Sequence, residues 1–156
     1  DRIMRLGIVG SEQKKFTAIT EAVARQLINT LIQTTGASTV VSGACHLGGV
    51  DIFARDAALN LKLRMLEFSP KKHNWEDGYK PRNIEIAENS DEIYCITLTQ
   101  LPESYKGMKF GNCYHCHTTS HIKSGGCWTV WYAKRKLHKH VGIYAITPDG
   151  AVRVEL

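Results

Sequence analysis

The chain alternates short apolar runs with segments of helical period, and the first three runs end in glycine or serine. No other feature limits the possible folds as strongly. Residues 5–9 form an apolar run closed by Gly10-Ser11. Residues 16–32 place Ile19, Val23, Leu27 and Leu31 at intervals of four, the spacing of one helix face. Residues 39–42 are β-branched and stop at Gly43, residues 50–61 read as a second helix, and residues 63–68 as a third strand. A polar loop with Trp75 precedes a short helix at 81–89, whose proline sits in the first turn, where a missing N–H costs little. Residues 92–98 form a fourth strand and 126–137 a helix, followed by strands at 141–147 and 151–155.

Strands alternating with helices predict an α/β fold, with a parallel sheet of five or six strands and helices on both faces. The 156 residues suit a single domain, read here as 1–156 with an insertion at about 100–124. No apolar run approaches the roughly 18 residues of a membrane helix, so no membrane partner is expected. In such sheets ligands bind beyond the carboxyl ends of the strands. Those ends carry Gly10 and Ser11, Ser42 and Gly43, Ser69-Pro70, and Ser124-Gly125-Gly126 leading to Thr129. Glycine and serine at a helix start let backbone N–H groups approach an anion, although tight turns need glycine as well. The rim points to a phosphate-bearing ligand. A branched side chain at Gly126 is expected to impair binding more than folding. With no Gly-x-Gly-x-x-Gly and no P-loop lysine motif, a dinucleotide dehydrogenase or P-loop NTPase is disfavoured.

Charge is unevenly placed. Residues 104–148 contain no acid, seven bases and five of the seven histidines. A basic region of this kind suits an anionic partner, including nucleic acid, or is simply a solvated helix face. The five cysteines are not spaced as a disulfide framework, which points to a reducing, cytoplasmic setting. The insertion holds Cys113-Tyr114-His115-Cys116-His117 and His121. Cys-x-x-Cys is a metal-knuckle spacing, and thiolates with imidazoles suit tetrahedral zinc. The expected ligands are Cys113, Cys116, His117 and His121, with His115 and Cys127 as alternatives. A structural zinc would order so long a loop. A redox dithiol, a c-type haem attachment and coincidence are the other readings. The lack of His-x-Glu disfavours a zinc deaminase.

Three segments resemble the SLOG superfamily, which includes DNA-processing protein A, the YspA- and YpsA-related proteins and the LOG phosphoribohydrolases. The first is Val41-Ser42-Gly43-Ala44 with Gly48-Gly49-Val50-Asp51, Ala54, Ala57 and Ala58. The second is Phe68-Ser69-Pro70, Trp75, Gly78, Pro81-Arg82-Asn83 and Asp91. The third is Ser124-Gly125-Gly126-Cys127-Trp128-Thr129 running to Ala133. The resemblance covers about residues 5–147 without the insertion. It implies a Rossmann-like domain that binds nucleotides or their derivatives, in some members single-stranded DNA.

The rim and the resemblance together give Gly10, Ser11, Ser42, Gly43, Asp51, Arg82, Asn83, Gly125, Gly126 and Thr129 as the expected ligand-binding residues, and the resemblance makes Arg82 the one catalytic candidate. The family's hydrolases keep a glutamate three residues after the threonine of the glycine loop; here that position is Tyr132. Cleavage of an N-glycosidic bond passes through an oxocarbenium-like state that a carboxylate stabilises. Without the glutamate, Asp51, Glu85 or Glu12 would have to serve. The favoured function is therefore binding or sensing of a nucleotide-like molecule with a structural zinc. The alternative is an N-glycosidic hydrolase or transferase acting on a nucleoside monophosphate, and a weaker one is single-stranded nucleic acid binding. Enzyme or not, and homo-oligomer or not, are left open.

Overall fold

A computed structural model describes residues 3–156; Asp1 and Arg2 of the expected 1–156 domain lie outside the described residues. Strands β1 (Arg5–Gly10), β2 (Thr39–Gly43), β3 (Arg64–Phe68), β4 (Glu92–Leu98), β5 (His140–Thr147) and β6 (Gly150–Val154) form one sheet in the order β3-β2-β1-β4-β5-β6. Helices α1 (Ala18–Thr35), α2 (Val50–Asn60), α3 (Lys80–Glu88) and α4 (Gly125–Leu137) connect them. The expected elements all form, within a few residues of the boundaries read from periodicity.

The first five strands are parallel, while β6 runs antiparallel to β5. The turn expected at residues 148–150 makes β6 the one antiparallel strand. Only Pro148 and Asp149 separate β5 from β6, and a parallel return needs a crossover of a dozen residues or more.

Residue alternation sorts the two faces. Leu6, Ile8, Val40, Tyr94 and Ile96 pack with α1 and α2 residues such as Ala24, Ile28, Phe53 and Ala54. Val9, Val41, Ile93, Cys95 and Ile143 face the other way, onto Ile86, Cys127, Val130 and Ala133 of α3 and α4. Helix α1 begins in a reciprocal cap between Thr17 and Thr20 and ends at Gly36, whose φ of 67° is left-handed; such a cap is worth about 1 kcal/mol. The chain turns from β1 to β2 on one side and crosses to β4 on the other. This puts the topological switch point at the carboxyl ends of β1 and β4. No helix among the described residues is long and apolar enough to cross a membrane.

Candidate ligand rim and metal centre

The carboxyl ends of β2 and β3 bring together five of the expected ligand residues. Ser42 is buried and donates to the Ile8 carbonyl at 2.6 Å, with Asp51 Oδ1 at 3.0 Å from the same hydroxyl. Asp51 Oδ2 accepts from the Cys45 N–H at 3.2 Å. The Arg82 guanidinium lies over Gly43, in the space a Cβ would need. Its Nε donates to Asn83 Oδ1 at 2.9 Å and its Nη1 to the Phe68 carbonyl at 3.4 Å. Tyr79 sits beneath it, with 5.7 Å from the guanidinium carbon to the ring centre.

Burial pushes the Asp51 carboxyl up to about 7, against the opposing pull of Arg82, Ser42 and the Cys45 N–H. Proton counting agrees. Ser42 has one proton for two acceptors, and the shorter contact is to the carbonyl. A protonated Asp51 can then donate to the Ser42 oxygen and satisfy both.

At the switch point Ser11 N–H donates to the Ile96 carbonyl at 3.1 Å. The Ser11 hydroxyl reaches Thr97 Oγ1 at 3.3 Å, and Thr97 donates to the Ile122 carbonyl at 2.7 Å. Gly49 takes a φ of 83°, and a Cβ there would strike the Ser11 carbonyl, so the start of α2 closes tightly on the β1 loop. Helix α4 opens on Ser124, whose hydroxyl accepts from the Gly126 N–H at 3.1 Å. Gly125 is exposed with nothing within 4 Å of a built Cβ, whereas a Cβ on Gly126 would lie 2.8 Å from Cys95 Sγ and 3.0 Å from Val9 Cγ2. The expectation for Gly126 is thereby corrected: its missing side chain makes room for the sheet, and the open approach belongs to Gly125. Thr129 lies one turn further in; its hydroxyl is buried and has no hydrogen-bond partner among the described residues.

Aromatic rings flank this rim. Trp75 meets Trp128 edge-on at 4.9 Å, and Trp128 stacks on Tyr132 at 5.3 Å. His46 stacks on His73 at 5.4 Å, and His73 on Tyr79 at 6.2 Å. Trp75 is thus packed on the domain while remaining 40% exposed. Tyr132, where the resembled hydrolases keep glutamate, is committed to this stack.

The insertion folds around Cys113, Cys116 and His121, and α4 adds Cys127. Their ligand atoms all lie within 4.8 Å of one another and could hold a metal ion. Cys113 and Cys127 are fully buried and His121 nearly so. His117 is not brought into this group. An antiparallel bridge between Cys113 and Thr118 closes the knuckle, and the turn puts His117 in the left-handed region with φ 57°, exposed. Half-buried His115 leans on Tyr114 and also stays outside.

Supporting contacts orient the four. Ser120 Oγ lies 3.0 Å from His121 Nδ1, which leaves Nε2 facing Cys127 Sγ at 3.8 Å. Trp131 Nε1 donates to Cys116 Sγ at 3.5 Å. Such outer partners fix the ring and thiolate directions of a metal site. Bonds of about 2.3 Å to a tetrahedral ion would put the sulfurs about 3.8 Å apart, so the cluster needs little adjustment to close around one. Hydrogen bonding from Cys127, opposed by burial, draws the Cys113 thiol down to about 3, while Cys127 is pushed up as the proton holder. Cys116 is lowered to about 7 with Cys127 again the main cause. A cation would displace those protons and ionise all three sulfurs. All five cysteines are free of disulfides.

Cys127 was the candidate hardest to rank from sequence, since it stands beyond the glycine loop and apart from the Cys-x-x-Cys pair. Its signal is position: three residues ahead of Val130 and six ahead of Ala133, it shares their inward helix face.

No protein-family model and no curated protein matches the chain. Among solved structures it is similar to the molybdenum cofactor carrier protein MCP from Chlamydomonas reinhardtii. The two share 17% identity over 91% of this chain and 76% of that one, with a TM-score of 0.57. At that identity the likeness is one of fold, and it supports the Rossmann-like α/β architecture described above.

Proposed function

We propose that this chain is a single SLOG-type binding module that holds a phosphate-bearing, nucleotide-like small molecule at the carboxyl rim of its sheet, beside a structural zinc. The observation that carries the reading is the convergence of Arg82 on Gly43, Ser42 and Asp51. Arg82 spends Nε and Nη1 on the protein, and its Nη2 makes no hydrogen bond among the described residues. A guanidinium edge left free above a glycine suits a phosphate oxygen. Across the rim, the open start of α4 at Gly125 adds the partial positive charge of a helix N-terminus. Trp75, Trp128, His46 and His73 supply π faces for a planar base. A carrier role has a precedent on this fold in the molybdenum cofactor carrier protein.

Three thiolates and one imidazole fill four tetrahedral positions and leave none open, which suits a structural zinc and not a hydrolytic one. Elemental analysis of protein purified without chelator is expected to return one zinc per chain.

Isothermal calorimetry and thermal shift with adenosine monophosphate, read beside chromatography for released adenine, test the ligand reading. Binding without base release is expected, lost on Arg82→Ala. No response to any nucleoside monophosphate or to inorganic phosphate would overturn it.

One observation favours catalysis as a second reading. Asp51, a carboxyl titrating near neutrality beside Arg82, is one of the groups that could replace the missing glutamate. Base release that disappears in Asp51→Asn while binding persists would establish that reading instead.

A further inference from the structure

Three metal-ligand candidates belong to the insertion, but the fourth, Cys127, is the third residue of α4. The five residues between His121 and Cys127 are therefore a strap anchored at both ends by the same centre. Its polar ties run to the rim. The Ile122 N–H donates to the Leu98 carbonyl at 2.7 Å. The Ile122 carbonyl accepts from Thr97, whose hydroxyl in turn meets Ser11. The Lys123 carbonyl accepts from Lys15 Nζ at 3.5 Å. Ser124 caps the Gly126 N–H and lies 3.7 Å from Cys95 Sγ. Gly126 itself stands against Val9 and the Gly10 N–H. At its other end the insertion is held by Tyr105, which is buried and donates to Glu12 Oε1 at 3.3 Å, while residues 106–112 between the two anchors are all exposed.

We infer that the metal centre is the positioning element of the ligand rim, so that a metal ion and a phosphate-bearing ligand bind with mutual favourable coupling. The inference rests on the ligand reading above. With the metal in place, the strap holds Ser11, Thr97 and the first turn of α4 in one arrangement. A ligand that needs that arrangement binds without the cost of ordering it. Without the metal, the strap loses both anchors and the ligand must order the rim itself. Reciprocity then requires the ligand to strengthen metal binding by the same factor.

The test compares zinc-loaded protein with the same protein stripped by chelator under reducing conditions, and with Cys116→Ser, which keeps every residue of α4 and leaves an oxygen to accept from Trp131 Nε1. Amide hydrogen exchange reads the coupling without any ligand. Metal removal is expected to expose the amides of Ser11, Ile122, Gly125 and Gly126 while those of β2 and β3 keep their protection. Identical exchange at the rim in both forms would overturn the inference.

Calorimetry with adenosine monophosphate reads it a second time. Affinity is expected to fall about tenfold or more on stripping, within the usual range of coupling between sites. Zinc affinity, measured by competition with a chromophoric chelator, should rise by the same factor at saturating nucleotide. Equal nucleotide affinity in both forms would overturn the coupling while leaving the ligand reading intact. Failure of the nucleotide to bind the zinc-loaded protein would remove the ligand reading, and the positioning role would then be decided by the exchange data.

Discussion

Asp51 illustrates what a single residue contributes and how little of that its letter reveals. Its carboxyl is raised from 3.8 to about 7 because burial disfavours the charge. Between those values the unfolded chain has lost the proton and the folded one retains it, so stability falls as pH rises through that window and levels off above it. Asp51→Asn keeps an acceptor for the Cys45 N–H and supplies a donor to Ser42, as the protonated acid does. We expect the variant to fold and to be less sensitive to pH between about 4 and 7, by an amount on the order of a few kcal/mol. Urea unfolding at several pH values checks this, and an unchanged pH slope would contradict it.

Gly125 and Gly126 make a second pair of expectations. Gly125→Val should weaken nucleotide binding with little loss of stability. Gly126→Val should cost stability, on the order of 1–3 kcal/mol as in overpacked cores, because its side chain would enter the Cys95–Val9 contact. Melting temperatures and nucleotide affinities of the two variants separate the cases. The sequence showed that both glycines belong to a rim loop. It could not show which one faces solvent, since that depends on how α4 is rotated on the sheet. That Cys127, given as an alternative, joins the cluster while His117 stays outside it has a similar reason. The backbone turn decides which side chain points at a centre, and spacing alone does not fix that turn.

At the scale of elements, four of the seven bases in the acid-free stretch have partners within the fold. Lys139 was counted with the anion-attracting bases, yet its ammonium donates to the carbonyls of Ala87, Glu88 and Ser90 at 2.8, 2.9 and 2.6 Å. It closes the carboxyl end of α3, where a cation is favoured by the unpaired carbonyls. Lys139→Met should lower stability by about 1–3 kcal/mol, measured by chemical denaturation, and leave nucleotide affinity unchanged. Arg135 and Lys134 lie over Trp131, and Lys123 over Phe110 and Tyr114. The sequence shows only an acid-free run, because these partners become neighbours only after folding. The insertion was legible as a metal knuckle from Cys-x-x-Cys and its histidines. Its attachment to α4 was legible only as one alternative, Cys127, because the choice among the candidates depends on tertiary packing. Cys113→Ser should lose the metal and loosen residues 100–124 while the sheet persists, since both apolar faces of the sheet are covered largely by residues outside the insertion. Metal content together with far-ultraviolet dichroism checks both halves of that statement.

For the whole molecule, alternation of strand and helix was enough to give the α/β class, because each parallel crossover must carry its helix back over the sheet. The same rule fails only at β6, where the connection is too short to cross. The placement of Arg82 on Gly43 was legible only through the family resemblance, since Gly43 ends β2 whereas Arg82 stands in the first turn of α3, well beyond the end of β3. The cysteine-histidine cluster bears on how such a sheet assembles. β4 ends at Leu98 and β5 does not begin until His140, so the pairing of these two neighbours must close a long excursion of chain. Loop closure of this kind slows folding because its entropy is lost before the strands can reward it. Cys113, Cys116, His121 and Cys127 are close in sequence, so an ion can gather them before β5 is in place. Doing so would shorten the free excursion and start α4 at its first turn. Refolding from urea should therefore be faster with zinc present from the outset than with zinc added after the jump, and stopped-flow tryptophan fluorescence can read the difference. The centre would then act as a kinetic aid to assembly as well as a fixture of the finished molecule.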